Sequence, residues 1–277
     1  EKANFPHMKK LGDIYRTALI TGGTSGLGLA FSKMLAGEGV KVVSVSRNPD
    51  LLPKVEGLTG VSLDLANMAS VRDFVEGYLR EPGAPDLLVN NAGYGAFSEW
   101  GEFPEEEIAR QLDVLLSAPI CLCRAFAPKM ADRGSGGIVN VSSIAGMFPL
   151  PYMPLYNTAK AGLSAFSASL ALEYKAVPFV TDFRLGDFRT NFNKSASKGI
   201  TVQADSSQDR AWSQIEKQLN SSPDPMVAAR ALRRVLRRRQ GGVVYSGGFF
   251  QGRVMPLLFR LAPSRFLRTV LRHWYKL

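Results

Sequence analysis

The chain reads as one α/β domain built on a parallel sheet, and three features of the sequence predict it. Short runs of aliphatic and β-branched residues alternate six times with helical patterns, no linker or internal repeat interrupts them, and a glycine-rich turn directly follows the first run. The 277 residues suit one large domain, and 45% apolar with 21% charged residues is an ordinary balance for a chain that buries a full core.

Thr17 to Thr21 is the first strand, running into Thr21-Gly22-Gly23-Thr24-Ser25-Gly26-Leu27-Gly28 and a helical pattern from Leu27 to Leu35. Gly22, Gly26 and Gly28 let the backbone approach a pyrophosphate, and the turn residues Thr24, Ser25 and Leu27 stand where a helix N-terminus favours an anion. Such a turn is common by itself; its place directly after a first strand points to a nucleotide. The second strand, Val40 to Ser46, ends in Ser46-Arg47-Asn48, about twenty residues past the glycines, where a doubly wound fold meets the adenosine ribose. An acidic side chain here would accept from the ribose 2′-hydroxyl and repel a 2′-phosphate. Ser46 and Arg47 instead suit a phosphate, which favours NADP(H) over NAD(H); a solvated loop cation is the plain alternative for Arg47.

A third strand, Gly60 to Asp64, puts Asp64 and Leu65 at a C-terminal strand edge, where ligands bind in open parallel sheets, although Asp64 equally suits the cap of a helix from Asn67 to Leu79. The fourth, Asp86 to Asn90, runs into Asn91-Ala92-Gly93, small enough to admit a cofactor closely and also simply a good loop. A long helical stretch covers 105–132, and Gly137 to Ser142 forms the fifth strand, with Ser142 and Ser143 at its end. A helix carrying Tyr156-Asn157-Thr158-Ala159-Lys160 follows, and a sixth strand, Pro178 to Arg184, gives way to Leu185-Gly186-Asp187.

Tyr156 and Lys160 stand at i and i+4, so a helix puts them on one face. A free tyrosine titrates near pH ~10, and a cation one turn away favours the phenolate and lowers that value, as a tyrosine acid/base requires. The spacing is frequent, and a half-buried tyrosine above a surface lysine is the competing account.

Taken together, the motifs resemble the short-chain dehydrogenase/reductase family over roughly Arg16 to Gly247. Thr-Gly-x-x-x-Gly-x-Gly at 21–28, Asn-Asn-Ala-Gly at 90–93, a serine thirteen residues before the tyrosine, and Tyr-x-x-x-Lys at 156–160 occur in family order. The resemblance implies a Rossmann-type doubly wound sheet of seven mainly parallel strands with helices on both faces, closed by Gly242 to Ser246. It implies that Tyr156 is the acid in ketone reduction and the base in alcohol oxidation. Lys160 would bind the nicotinamide ribose, Ser143 would hydrogen-bond the substrate oxygen, Ser142 would be structural, and Gly186 and Thr190 would lie beside the nicotinamide. The expected activity is NADPH-dependent reduction of a ketone or aldehyde, or the reverse, on an apolar or lipid-like small molecule, by a homo-oligomer. A catalytically impaired, cofactor-binding interaction protein of the same fold is the alternative.

Three departures from the family pattern bear on this. The asparagine usual in the long helix, which holds a water linking the lysine to solvent, is replaced by Leu115, the proline before Gly186 is replaced by Leu185, and the chain is one residue shorter between Glu173 and Gly186. The first puts the proton relay to Tyr156 in doubt and the other two the shape of the wall near the nicotinamide.

Residues 187–223, rich in Ser, Asn, Lys and Gln, suit a substrate lid with an amphipathic helix around Ser207 to Leu219. Phe148 and Tyr152, between the serine and the tyrosine, are placed to touch substrate, whereas Trp212, Phe188 and Phe192 suit a pocket wall or the core equally. Residues 1–7 are expected to be vector-derived, leaving a domain over 8–252 and a basic amphipathic extension over 253–277. In that extension Phe266, Leu267, Val270, Leu271 and Trp274 follow helical spacing opposite Arg265, Arg268, Arg272 and Lys276. Such a helix suits an anionic membrane interface, or else packs over the pocket or a partner subunit.

The net charge of +10 belongs to this tail: twelve Lys/Arg and no Asp/Glu follow Pro225, leaving 22 bases against 24 acids in 1–224. The body is slightly acidic, so nucleic acid is not an expected partner. No apolar run approaches the ~18–20 residues of a membrane span. The two cysteines, Cys121 and Cys123, cannot pair at that spacing in a helix and suit a reducing, cytoplasmic compartment, with membrane association only through the tail. With two histidines and no cysteine cluster, no metal is expected.

Overall fold

The winding of the chain reverses beside its first strand, and that reversal opens the site. In the computed structural model, which describes residues 9–190, 192 and 204–277, β1 (Thr17–Thr21) lies between β2 (Lys41–Ser46) and β4 (Leu87–Asn90). With β3 (Leu58–Ser62), β5 (Gly137–Ser143), β6 (Phe179–Leu185) and β7 (Gly242–Ser246), the order is β3-β2-β1-β4-β5-β6-β7, every neighbouring pair parallel. A doubly wound parallel sheet leaves a crevice where the strand order reverses, beyond the C-terminal strand ends.

Period-two alternation feeds two cores. Ala18, Ile20, Leu87, Val89, Val139 and Val141 face one cluster with Phe31, Leu35, Leu232 and Val235 of α1 (Gly26–Gly37) and α7 (Pro225–Arg238). Leu19, Leu88 and Ile138 face the other, with Val71 and Val75 of α2 (Met68–Arg80) and Leu122, Phe126 and Met130 of α4 (Ala118–Arg133). Burial on both faces is why these strands read as continuous apolar runs. The helices between them are α3 (Glu105–Leu112), α5 (Pro154–Tyr174) and α6 (Ser207–Asn220).

The predicted strands all form, with ends adjusted by pairing. The third moves two residues earlier, to Leu58–Ser62, because its register against β2 pairs Val42 with Leu58 and Ser46 with Ser62. The sixth runs one residue further, to Leu185, which pairs with both Ser143 and Ser246. A proline would lack the N–H for such a ladder, so the leucine at 185 lets the strand continue to the site. Asp64 does not cap α2: Asn67 does, accepting from Ser70 N at 3.1 Å, while Asp64 Oδ1 accepts from Ala66 N in its own turn.

The long helical stretch is one rod from Glu105 to Arg133, interrupted by a π turn at Asp113–Ser117. By length and composition alone it could cross a membrane, contrary to the sequence expectation. It lies instead against the sheet, with Leu115, Leu122, Phe126 and Met130 fully buried. Cys123 sits there in a polar seam with Asn90 and Asn140, its thiol pushed up to about 12 by burial.

After β7, a π turn (Phe250–Val254) leads into α8 (Met255–Leu261) and α9 (Ser264–Trp274). Tyr275 and Leu271 dock this end on a third cluster with Phe97, Met153, Ala211, Ile215 and Leu219.

Candidate active site

Thr21 closes β1 against the end of β4. Its hydroxyl accepts from the N–H groups of Asn91 and Ala92, both at 2.9 Å, and Asn91 Nδ2 donates to Thr21 O at 3.0 Å. The glycine turn is thereby held against 91–93. A Cβ on Gly28 would fall 2.1 Å from Gly22 O, and one on Gly22 would fall 2.9 Å from Ala92 Cα at a left-handed φ of 69°. Only glycine allows this approach. No side chain caps α1, so its first-turn N–H groups face the crevice undivided.

The crevice is a cavity of about 890 Å3 that collects every cofactor residue expected from the sequence: Gly22, Thr24, Ser25, Gly26, Leu27 and Gly28; Ser46 and Arg47; Asp64 and Leu65; Asn91, Ala92 and Gly93; Gly186 and Thr190. Ser46 Oγ is buried there without a hydrogen-bond partner. Thr190 stands 3.3 Å from where a Cβ on Gly26 would lie, so the segment after β6 reaches back over the glycine turn.

Ser143, Tyr156 and Lys160 line the same cavity, brought together because β5 ends at Ser143 while α5 crosses the strand ends. Ser143 Oγ donates to Leu185 O at 3.3 Å, accepts from Ala145 N at 3.1 Å, and lies within hydrogen-bonding reach of the Tyr156 phenol. Ser142 points the other way: it is buried on Asp182, which also receives Ser164 and Arg184.

The lysine is not a surface cation. Lys160 Nζ is buried, donates to Val141 O at 2.8 Å and stands 5.9 Å from the centre of the Tyr156 ring. Burial pushes its pKa down to about 8 against the pull of Asp182. Tyr156 does not show the lowered phenol that a nearby cation was expected to produce. Burial pushes it up to about 12, with Ser143 opposing and Asp187 adding to the rise. Desolvation is the largest influence on the phenol, and the Ser143 hydrogen bond only partly opposes it.

Leu115 takes the place expected for an asparagine. It is fully buried in the π turn, and its Cδ2 lies 3.0 Å from where a Cβ on Gly93 would stand, with Lys160 Nζ 3.6 Å from the same point. An apolar side chain thus packs where the lysine's polar link was expected.

Of the substrate residues, Phe148 lines the cavity and stacks edge-on with Phe259 of α8. Tyr152 does not line it: its hydroxyl pairs with Ser207 Oγ at 2.9 Å and its ring packs on Phe97, so it anchors α6 instead. Trp212 likewise packs on Phe97, whereas Phe188 and Phe192 line the cavity, the latter edge-on to Tyr156. About a third of the expected lid, Asn191 and residues 193–203, lies outside the described residues. Two features of the site come from the C-terminal segment, the second being the packing over the pocket that the sequence left open. Gln251 clamps Asp187, accepting from its N–H at 2.7 Å and donating to Oδ2, and the mouth is walled by Leu258, Phe266, Val270 and Trp274 of α8 and α9. The only sequence signal for either was the apolar period of the tail.

The short chain dehydrogenase family model matches residues 16–201. A 3-ketodihydrosphingosine reductase of Bacteroides thetaiotaomicron is 34% identical over 230 residues, covering 80% of this chain and 83% of the relative. A short-chain dehydrogenase structure from Streptomyces avermitilis superposes with a TM-score of 0.74 at 27% identity, over 95% of this chain and 96% of that one. One from Sphingobium yanoikuyae, in complex with NADPH, gives 0.71 at 25% identity, over 93% and 95%.

The lysine's burial makes a pH prediction. Its folded value lies below the unfolded one, so between about pH 8 and ~10.4 the unfolded chain binds a proton that the native chain does not, and stability rises with pH. Comparing thermal unfolding of wild type and Lys160→Met at pH 7.5 and pH ~10, the wild type should gain on the variant at the higher pH.

Proposed function

The chain belongs to the short-chain dehydrogenase/reductase family of oxidoreductases, and on that premise we propose that it reduces a ketone or aldehyde on a long apolar substrate with NADPH, or runs the reverse oxidation. The observation that carries this reading is the meeting of Ser143, Tyr156 and Lys160 with the glycine cradle in one cavity. The cradle, the uncapped start of α1 and the unpartnered Ser46 hydroxyl fit a nicotinamide dinucleotide. When bound, that cofactor supplies the hydride.

The protein's part is positional and electrostatic. Ser143 and Tyr156 converge their hydroxyls on the substrate oxygen, which orients the carbonyl and stabilises charge as it develops there. With its pKa pushed up to about 12, Tyr156 holds its proton at neutral pH and delivers it to that oxygen. Lys160, charged below about pH 8, offsets the negative charge left on the phenolate and offers its ammonium to the nicotinamide ribose. Arg47 and Ser46 favour the 2′-phosphate, and no acidic side chain stands at either position. The catalytically impaired alternative rests on Leu115, which removes one polar route to the lysine.

The relative's activity on 3-ketodihydrosphingosine supports a lipid-like substrate, and so does the extension. Leu257 and Leu261 are 59% and 75% exposed, Phe266 and Trp274 stand exposed at the cavity mouth, and Arg265, Arg268 and Arg272 flank them. We read 253–277 as a module that lays this mouth against an anionic membrane surface of the cytoplasm. The family commonly assembles as oligomers, and a dimer or tetramer is the assembly we propose here.

Three outcomes are expected. Tyr156→Phe should lower kcat/KM for ketone reduction ~10²- to 10⁴-fold while NADPH still binds; a wild type as inactive as the variant on every ketone tried would favour the impaired protein. Arg47→Ala should weaken NADPH ~10- to 100-fold and leave NADH nearly unchanged, the cost of one charged hydrogen bond. Leu257→Ser combined with Leu261→Ser should reduce co-sedimentation with anionic vesicles by about tenfold or more, and added salt should weaken binding of the wild type. Equal partitioning of variant and wild type would remove the membrane role.

A further inference from the structure

Asp187 is a charged group of the cavity that this chemistry leaves unused. Asp187 follows Gly186 at the C-terminal end of β6 and lines the cavity with Ser143, Tyr156 and Tyr275. Its field reaches both phenols, raising each. The ion pairs among the described residues use Asp86, Asp182 and Glu38, and none involves Asp187. Gln251 grips its N–H and Oδ2, but Oδ1 has no hydrogen-bond partner among the described residues.

A carboxylate partly withdrawn from water without a cation is costly, and burial accordingly raises its pKa. The arrangement is nevertheless built in. A Cβ on Gly186 would fall 2.5 Å from Gln251 Oε1, so the clamp requires the glycine beside it. Gln251 arrives from beyond the last strand, and its side chain makes no other hydrogen bond among the described residues. Asp187 shares its cavity with the apolar side chains of Phe188, Leu258, Phe266 and Val270. A ligand that satisfies it carries a cation near the reacting carbonyl and an apolar remainder.

We propose that Asp187 is the subsite for an ammonium group on the carbon next to the substrate carbonyl, so that the preferred substrates are long-chain amino ketones. The ammonium occupies Oδ1 while Gln251 keeps Oδ2, and it offsets the field that Asp187 imposes on Tyr156. This rests on the reductase reading above and names the substrate class within it. The competing occupant of the same carboxylate is the cationic ring of the oxidised cofactor.

Wild type, Asp187→Asn and Asp187→Ser, each confirmed folded by circular dichroism, are assayed with NADPH on two ketones of equal chain length, with and without an amino group beside the carbonyl. The wild type should prefer the amino ketone in kcat/KM, and that preference should fall at least ~30-fold in both variants, as loss of one partner of a buried charge pair implies. An unchanged preference overturns the proposal. So does an equal loss on both ketones with a raised KM for NADPH, which would assign the carboxylate to the cofactor. If the wild type reduces neither ketone, the reductase reading falls separately, and the subsite is judged by tryptophan fluorescence on titration with dodecylamine and dodecanol. Tighter amine binding that Asp187→Asn abolishes supports it; equal binding of the two probes overturns it.

Discussion

The hydrogen bond from the Lys160 ammonium to the Val141 carbonyl, 2.8 Å long and buried, is the contact on which the site depends. It ties α5 to β5, and that tie brings Tyr156 to Ser143 at the strand end. The space around it is set from three sides: Gly93 leaves room that a side chain would fill, Leu115 closes the helix side, and Asp182 of β6 attracts the ammonium. The same enclosure strips water from both titrating groups. The phenol and the ammonium are therefore each pushed towards their neutral form, opposed by Ser143 at the phenol and by Asp182 at the ammonium.

The C-terminal segment belongs to this enclosure and is more than an appendage. Gln251 holds Asp187, Phe259 packs on Phe148, and Tyr275 sits in the cluster that also receives Phe97 and Ile215. Meanwhile the outer faces of α8 and α9 stay apolar and uncovered between arginines. One element thus supplies both an inner wall and an outer surface. The cavity wall and the exposed apolar surface share residues, Phe266, Val270 and Trp274 among them.

Much of the site was legible because it depends on local rules. Glycines at 22, 26 and 28, the Asn-Asn-Ala-Gly turn, Ser143, and Tyr156 with Lys160 each declare themselves through backbone freedom or helical spacing, and all line one cavity. Where reading failed, a long-range contact had decided. Tyr152 lies close in sequence to the tyrosine of the site, yet its hydroxyl is taken by Ser207, 55 residues on. Asp64 could have capped a helix until Asn67 did. The rod from Glu105 to Arg133 is apolar enough to span a membrane and is instead consumed by the sheet.

By itself, then, the sequence determined the alternating α/β order, the strand ends that border the cavity and the identity of Ser143, Tyr156 and Lys160 as the candidate trio, since periodicity and spacing act over a turn or a strand. Tertiary structure alone decided the protonation balance of Tyr156 and Lys160, because desolvation depends on what closes over them. It also decided the pairing of Asp187 with Gln251, 64 residues away, which no local pattern encodes.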